Sequence, residues 1–304
     1  MEVIEARGLT KVYRGGRGVF DLDLAVREGG IFGFLGPNAA GKTTTIRTLL
    51  GFLRPTVGVA RVLGLDAWSA SAAVKAQVGF IPGELHLYDR MRGSEFLSFL
   101  AGFRAAGALD HASRLATKLD LDLRQRIRHL SKGNRQKLIV VSALMHDPRL
   151  LILDEPTSGL DPLMQAEFLA LLREERSRGK TVFLSSHMLP EVEKVADRVA
   201  IIREGRLVAV EQVERLKALR PRRMEVMLRS ALAADAFAGL PGVQVLDVHE
   251  GGRHVELAVR GSPARLLSRL AQLPVEDLTY APADLEGVFL HYYAQPGGEE
   301  VLTA

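Results

Sequence analysis

Eight consecutive residues, Gly36-Pro37-Asn38-Ala39-Ala40-Gly41-Lys42-Thr43, fit the pattern G-x-x-x-x-G-K-[ST], and their surroundings narrow the fold more than any other stretch. Upstream, Ile31 to Leu35 is a short apolar run of strand character. Downstream, Thr44, Ile46, Leu49 and Leu50 recur at helical spacing. A strand that turns through glycines into a helix presents backbone N–H groups and the positive end of the helix dipole to an anion. The expectation is a phosphate cradle made by Gly36, Pro37, Asn38, Ala39, Ala40 and Gly41. Lys42 would bridge the β- and γ-phosphates of a nucleotide, Thr43 would ligate Mg2+, and Thr44 would lie beside them.

Further apolar runs at Val78 to Ile81, Leu150 to Leu153 and Thr181 to Leu184 alternate with helical patterns, which predicts a mostly parallel sheet with helices on both faces. The opening residues alternate apolar and polar instead, in Val3-Ile4-Glu5-Ala6 and Phe20 to Val26, and read as antiparallel edge strands. From Gly93 to Leu130 the pattern is wholly helical, so a helical subdomain over about 93–147 is expected inside the α/β core. Val199 to Ile202 and Leu207 to Val210, joined at Glu204-Gly205, read as a hairpin, and Val213 to Leu219 as a closing helix. This first domain spans 1–219. Residues 220–223, Arg-Pro-Arg-Arg, are read as a linker, because proline stops the helix and the cluster is polar. Beyond it, 224–294 reads as strand 224–228, helix 231–239, strands 243–248 and 254–259, helix 263–272, strand 275–280 and helix 283–293. That order is the βαββαβ of a small ferredoxin-like α+β domain with one added helix. A loose tail, 295–304, is expected to follow.

The 304 residues suffice for two such domains. At 47% hydrophobic and 25% charged, the composition is that of a globular protein. The lack of cysteine removes disulfide and thiol chemistry. No apolar run approaches the ~20 residues needed to cross a bilayer. No basic segment followed by an apolar one opens the chain, so a secretory signal is not expected and cytoplasmic residence is. The net charge of +4 is spread among nearly as many acids, so a solvated surface is expected and no nucleic-acid partner.

Leu150-Leu151-Ile152-Leu153-Asp154-Glu155 ends an apolar strand on two carboxylates, at the sheet edge where α/β proteins bind ligands. Asp154 suits the Mg2+ shell. Glu155, one residue on, is placed to polarise a water for in-line attack on the γ-phosphate. Leu130-Ser131-Lys132-Gly133-Asn134-Arg135-Gln136-Lys137 opens a helix, with Ser131 as N-cap and Gly133 allowing close backbone approach; alone, these residues describe only a capped helix. Together with Ser158-Gly159-Leu160-Asp161 and Ser185-Ser186-His187 downstream, the ordered set resembles the ATPase of ABC transporters over about the first 215 residues.

That resemblance implies a P-loop NTPase core with an antiparallel β edge and an inserted helical subdomain, and ATP and Mg2+ as cofactors. It implies a head-to-tail dimer, of two copies or of this chain with a related one. Two ATP molecules would lie between each phosphate loop and the Ser131 to Gly133 segment opposite. Asp161 would sit in the loop linking the sites, and His187 would hydrogen-bond the γ-phosphate and the water near Glu155. Tyr13, in Leu9-Thr10-Lys11-Val12-Tyr13, would stack on adenine. A separate permease would hold the subunit at the inner face of the cell membrane. The ending Pro282 to Leu290 resembles drug-exporter-type subunits, which pair with ABC-2 permeases, and implies export. Leu85, Leu87, Tyr88 and Met91, with Phe96 and Phe99, stand either as the surface that receives a coupling helix of the permease or as core of the helical insert.

Three departures mark this chain. Gly83 follows Ile81-Pro82 where the family carries glutamine; either Glu84 substitutes by a shifted loop or the site lacks this ligand. Ala39 replaces a glycine, so a backbone angle open to alanine must suffice. Lys132 and Asn134 replace glycine and glutamine. These changes bear on hydrolysis rate more than on ATP binding. Two other readings stand beside the transporter: a soluble ABC ATPase acting on DNA or ribosomes, and a slow-turnover ATP-gated regulatory subunit. Against the first, Lys42 and Ser131 are only 89 positions apart, too few for the long coiled coil of DNA-repair types, and the chain has one cassette where ribosome-acting types usually have two. The second is motivated by Gly83.

Overall fold

A computed structural model describes residues 1–84, 87–218, 222–232, 234–237 and 239–281. Strands β1 (Glu2–Val12) and β2 (Gly18–Arg27) pair antiparallel, with Ile4 opposite Val26 and Ala6 opposite Leu24. Ile4 and Ala6 of β1 and Leu22, Leu24 and Val26 of β2 are buried, the period of two expected of a sheet with one face on the core, and a register shift after Ala6 brings Leu9 back to the buried side. Strand β3 (Ile31–Leu35) is buried at every residue and turns through Gly36 to Gly41 into α1 (Lys42–Leu49). Strand β4 (Val57–Val62) then pairs with the other side of β1, and β5 (Leu65–Asp66) follows, giving the order β2-β1-β4-β5. This corrects the expectation for β1, which is an inner strand. Gly58 permits the approach: at φ +79°, a Cβ there would stand 2.2 Å from the carbonyl oxygen of Gly8.

Helix α2 (Ser71–Gln77) leads into β6 (Val78–Ile81) and the helical insert, which comprises α3 (Gly93–Ala101), α4 (Ala108–Lys118), a 3-10 turn at Ile127–His129 and α5 (Lys132–Leu144). The core then resumes with β7 (Leu150–Asp154), α6 (Pro162–Ser177), β8 (Thr181–Ser186), α7 (Leu189–Glu193), β9 (Arg198–Arg203) and β10 (Arg206–Gln212). The six-stranded sheet is ordered β10-β9-β3-β8-β7-β6, parallel throughout except for the β9–β10 hairpin. The inner strands β3, β7 and β8 carry the continuous apolar runs, because both of their faces are covered. Phe183 packs between Phe32 and Phe34, with ring centroids 5.9 and 5.3 Å away, and truncating so buried a ring to alanine costs about 3–5 kcal/mol.

The chain divides into two compact units between Val213 and Glu214, ahead of the boundary expected after 219. The amide of Val213 donates to the carbonyl of Asp197 at 3.0 Å and ties the start of α8 (Val213–Ala218) to the first unit. In the second unit β11 (Arg222–Leu228), β12 (Val243–His249) and β13 (His254–Val259) are followed by α9 (Ala264–Leu270) and β14 (Val275–Ala281). The sheet is antiparallel and ordered β12-β13-β11-β14. Strands β11 and β12 therefore run the same way with β13 between them, and β13 and β14 with β11 between them, the strand order of a ferredoxin-like arrangement with α9 as the crossover of its second half. Met224, Val226, Val255, Leu257, Leu266 and Leu270 form its core.

Two expectations change here. Arg222 and Arg223 belong to β11, not to a linker, because their backbone pairs with Val259 and Ala258 while the side chains reach Tyr280 and Glu256. The helix expected over 231–239 is replaced, among the described residues, by one 3-10 turn, Ala234–Phe237, and just ahead of it the amide of Leu232 donates to the carbonyl of Gly252 at 3.1 Å. The helix expected over 283–293, the exporter-like ending and the tail lie outside the described residues.

Candidate nucleotide site

Strand β3 delivers the phosphate-loop sequence to the carboxyl edge of the six-stranded sheet, where neighbours on both flanks hold it. The Gly36 amide donates to the carbonyl of Ser186 at 3.3 Å, and a Cβ at Gly36 would stand 2.5 Å from the carbonyl oxygen of Ile202. Ala39 adopts φ +65°, the left-handed angle that the position demands, at a cost of roughly 1–2 kcal/mol for an L side chain. Lys42 is only 4% exposed and spends all three ammonium donors: on the carbonyls of Gly36 at 2.6 Å and Pro37 at 2.9 Å, and on Glu155 Oε1 at 3.1 Å.

Opposite the loop, β7 ends on Asp154 and Glu155. Ser185 of β8 organises both: its hydroxyl donates to Asp154 Oδ1 at 2.7 Å and accepts from the Glu155 amide at 3.1 Å. Glu155 turns away from the strand at φ +46°, a strained conformation that these contacts hold in place. Its Oε2 lies 3.0 Å from His187 Nδ1, so the carboxylate is gripped by an ammonium on one oxygen and an imidazole on the other. Farther along, Asp161 caps α6 by accepting from the Met164 amide at 3.0 Å, and Ser131 caps α5 by accepting from the Asn134 amide at 3.2 Å.

A cavity of about 600 Å³ separates the two sides. Tyr13, Asn38, Ala39, Gly41, Lys42, Thr43 and Thr44 line one wall, and Asp154 and Glu155 face them. The volume and the polar ends suit a nucleotide. Tyr13 Oη stands 3.5 Å from Thr44 Oγ1, at the start of α1. Of the other expected residues, Gly36, Pro37 and Ala40 do not line the cavity, though the carbonyls of Gly36 and Pro37 accept from Lys42. Ser131, Gly133, Asp161 and His187 do not line the cavity, and His187 reaches it only through Glu155. Arg17, Arg47 and Phe80 line it although the sequence does not single them out. Arg47 carried a faint signal, its i, i+4 spacing from Thr43; the other two are brought in by packing.

The hydroxyl of Thr43 and the carboxylate of Asp154 are hard oxygen donors on facing walls, a pair that fits Mg2+ beside phosphate oxygens. A Cβ on Gly83 would stand 3.7 Å from Asp154 Oδ2, so Gly83 adjoins the carboxylate with no side chain to join it, while Glu84 lines the same cavity. The aromatic stretch of the insert splits between its two readings. Phe96 is buried, whereas Tyr88 and Phe99 are 57% and 47% exposed and continue to Phe103, 71% exposed, through edge-to-face contacts. Leu85 lies outside the described residues.

A family model described as ABC transporter matches residues 19–158. The daunorubicin/doxorubicin resistance ATP-binding protein DrrA of Streptomyces peucetius is 34% identical over 97% of this chain and 94% of its own. The bacitracin transport ATP-binding protein BcrA of Bacillus licheniformis is 34% identical over 85% of this chain and 84% of its own. Among solved structures, an ATP-binding subunit of an ABC transporter superposes with a TM-score of 0.65 at 28% identity, over 71% of this chain and 92% of that one.

Proposed function

This chain belongs to the ATP-binding, ATP-hydrolysing subunits of ABC transporters, and on that premise we propose a composite engine in which two copies, or this chain and a related one, close around two MgATP and open after hydrolysis. The observation that carries the reading is the chain of contacts from Lys42 to Glu155 to His187 at the mouth of the phosphate loop. An entering triphosphate competes with Glu155 for Lys42. As the ammonium turns to the phosphates, Glu155 Oε1 is released to accept a hydrogen bond from the attacking water, while His187 keeps Oε2 oriented. Backbone amides of Asn38 to Gly41 bind the phosphates, Tyr13 stacks on the base, and Ser131, Gly133 and Asp161 complete the site opposite. Mg2+ held by Thr43 and Asp154 would supply charge neutralisation at the phosphates. Because ATP binds the closed dimer more tightly than the open one, its binding and loss drive the motion.

The names of two relatives, one for daunorubicin/doxorubicin resistance and one for bacitracin transport, support an exporter working through a separate ABC-2-type permease. The exposed edge of Tyr88, Phe99 and Phe103 suits an apolar helix of that permease, which would keep this chain at the cytoplasmic face of the cell membrane. No nucleic acid enters this scheme. Gly83 favours a second reading, an ATP-gated regulator of slow turnover. Phosphate release by the assembled complex decides between them: multiple turnovers that Glu155→Gln abolishes support the engine, and single-turnover behaviour supports the regulator.

A further inference from the structure

Glu191 of α7 is only 7% exposed, and it does not line the nucleotide cavity. Its Oε2 accepts from two buried hydroxyls, Thr157 Oγ1 at 2.5 Å and Ser186 Oγ at 3.4 Å. The two donors belong to different segments. Thr157 lies two residues beyond Glu155, in the loop that leads to Asp161, and Ser186 ends β8 immediately before His187. Ser186 Oγ also accepts from the Met188 amide at 2.9 Å, so the residues on either side of His187 are tied together. The helix that carries Glu191 is itself fixed. Val192 is fully buried and seats on β3, where a Cβ on Gly33 would stand 2.2 Å from Val192 Cγ1.

These contacts close a ring. On one side His187 Nδ1 lies 3.0 Å from Glu155 Oε2; on the other, Glu191 bridges the loop after Glu155 to the strand end before His187. A hydrogen bond between side chains on two separate segments keeps its geometry only as well as the segments keep theirs. A buried carboxylate that accepts from a hydroxyl on each segment is a strong tie between them.

We propose that Glu191 is a positioning residue for hydrolysis: by bridging Thr157 and Ser186 it fixes the segment of Glu155 against that of His187, and so sets the direction in which the Glu155 carboxylate meets the attacking water. The proposal rests on the hydrolysis scheme above, in which His187 orients Glu155. The phosphate loop lies on the opposite wall of the cavity, so loss of the bridge slows turnover and spares ATP binding.

The test uses the full chain isolated with its bound partners and reads phosphate release per bound ATP. Glu191→Ala should lower kcat about tenfold or more with KM for ATP within about twofold, while Glu191→Gln, which keeps an acceptor oxygen in place, should stay within about threefold of the parent. Thr157→Val removes the facing donor and keeps its shape. It should lower kcat as Glu191→Ala does, and the two changes together should cost no more than either alone. A role confined to stability would reduce the fraction of chains that bind ATP and leave release per bound ATP at the parent value; that result overturns the proposal, as do fully additive losses. Where Glu191→Ala fails to fold, Thr157→Val decides, a parent kcat overturning the proposal and a reduced kcat at unchanged KM supporting it. Release by the parent that survives Glu155→Gln overturns the hydrolysis scheme and the proposal with it. Release abolished by Glu155→Gln but unchanged in Glu191→Ala and Thr157→Val overturns the proposal alone.

Discussion

Lys42 and Glu155 hold one another at 3.1 Å, and each has further partners that limit where it can move. Replacing Glu155 with Gln keeps the shape and removes the base. Steady-state phosphate release should fall by at least about 100-fold while ATP binding, read by nucleotide fluorescence, persists. Ser185 makes a different prediction. Ser185→Ala removes the donor to Asp154 Oδ1 and the acceptor for the Glu155 amide, so urea denaturation should show a loss of about 1–3 kcal/mol, with weaker Mn2+ binding in the presence of ATP. The two residues differ in legibility. Glu155 is announced by its place after an apolar strand, whereas the two jobs of Ser185 depend on β8 lying beside β7, a pairing between segments far apart in sequence.

At the scale of elements, the β9–β10 turn buttresses the phosphate loop. The Gly205 amide donates to the carbonyl of Ala40 at 2.9 Å, its carbonyl accepts from the Phe20 amide at 2.7 Å, and a Cβ on Gly205 would stand 2.2 Å from the carbonyl oxygen of Gly18. Gly205→Val should therefore weaken ATP binding as well as stability, and a variant unfolding at a lower temperature with unaltered ATP affinity would contradict this. Between α5 and β7, burial and then the nearby charge of Arg104 push His146 down to about 4. The folded state thus resists protonating a group that the unfolded chain protonates near 6.5. Its contribution is complete above that value and is lost as pH falls toward 4, about 1 kcal/mol between pH 7 and 5 once solvent screening of this half-buried ring is allowed for. His146→Gln should flatten that dependence in urea denaturation. The buried strands β3, β7 and β8 were readable because continuous apolar runs between turn residues have few other solutions. The second partner of β1 was not, because the short Val57-Gly58-Val59-Ala60 stretch becomes a strand only when Gly58 lets it approach Gly8. Nor was the 3-10 turn Ala234–Phe237 in place of the helix expected over 231–239, in a segment tied through Leu232 to distant Gly252.

For the whole molecule, no helix among the described residues is long and apolar enough to cross a membrane, and the ATP-binding subunits of this family work with a membrane permease. If the aromatic edge of the helical insert is where the two meet, Phe99→Ser with Tyr88→Ser should reduce co-purification with the permease while the variant keeps its own ATPase activity. Retention of the full complex would place the contact elsewhere. The most direct test of the central claim is phosphate release by the tagged chain isolated from native membranes together with its bound partners, compared with the Glu155→Gln form prepared identically. The account predicts a polytopic membrane protein at near-equal stoichiometry in both preparations, with sustained MgATP-dependent release only in the unmodified one. Release unaffected by Glu155→Gln, or recovery without any membrane protein, would contradict it.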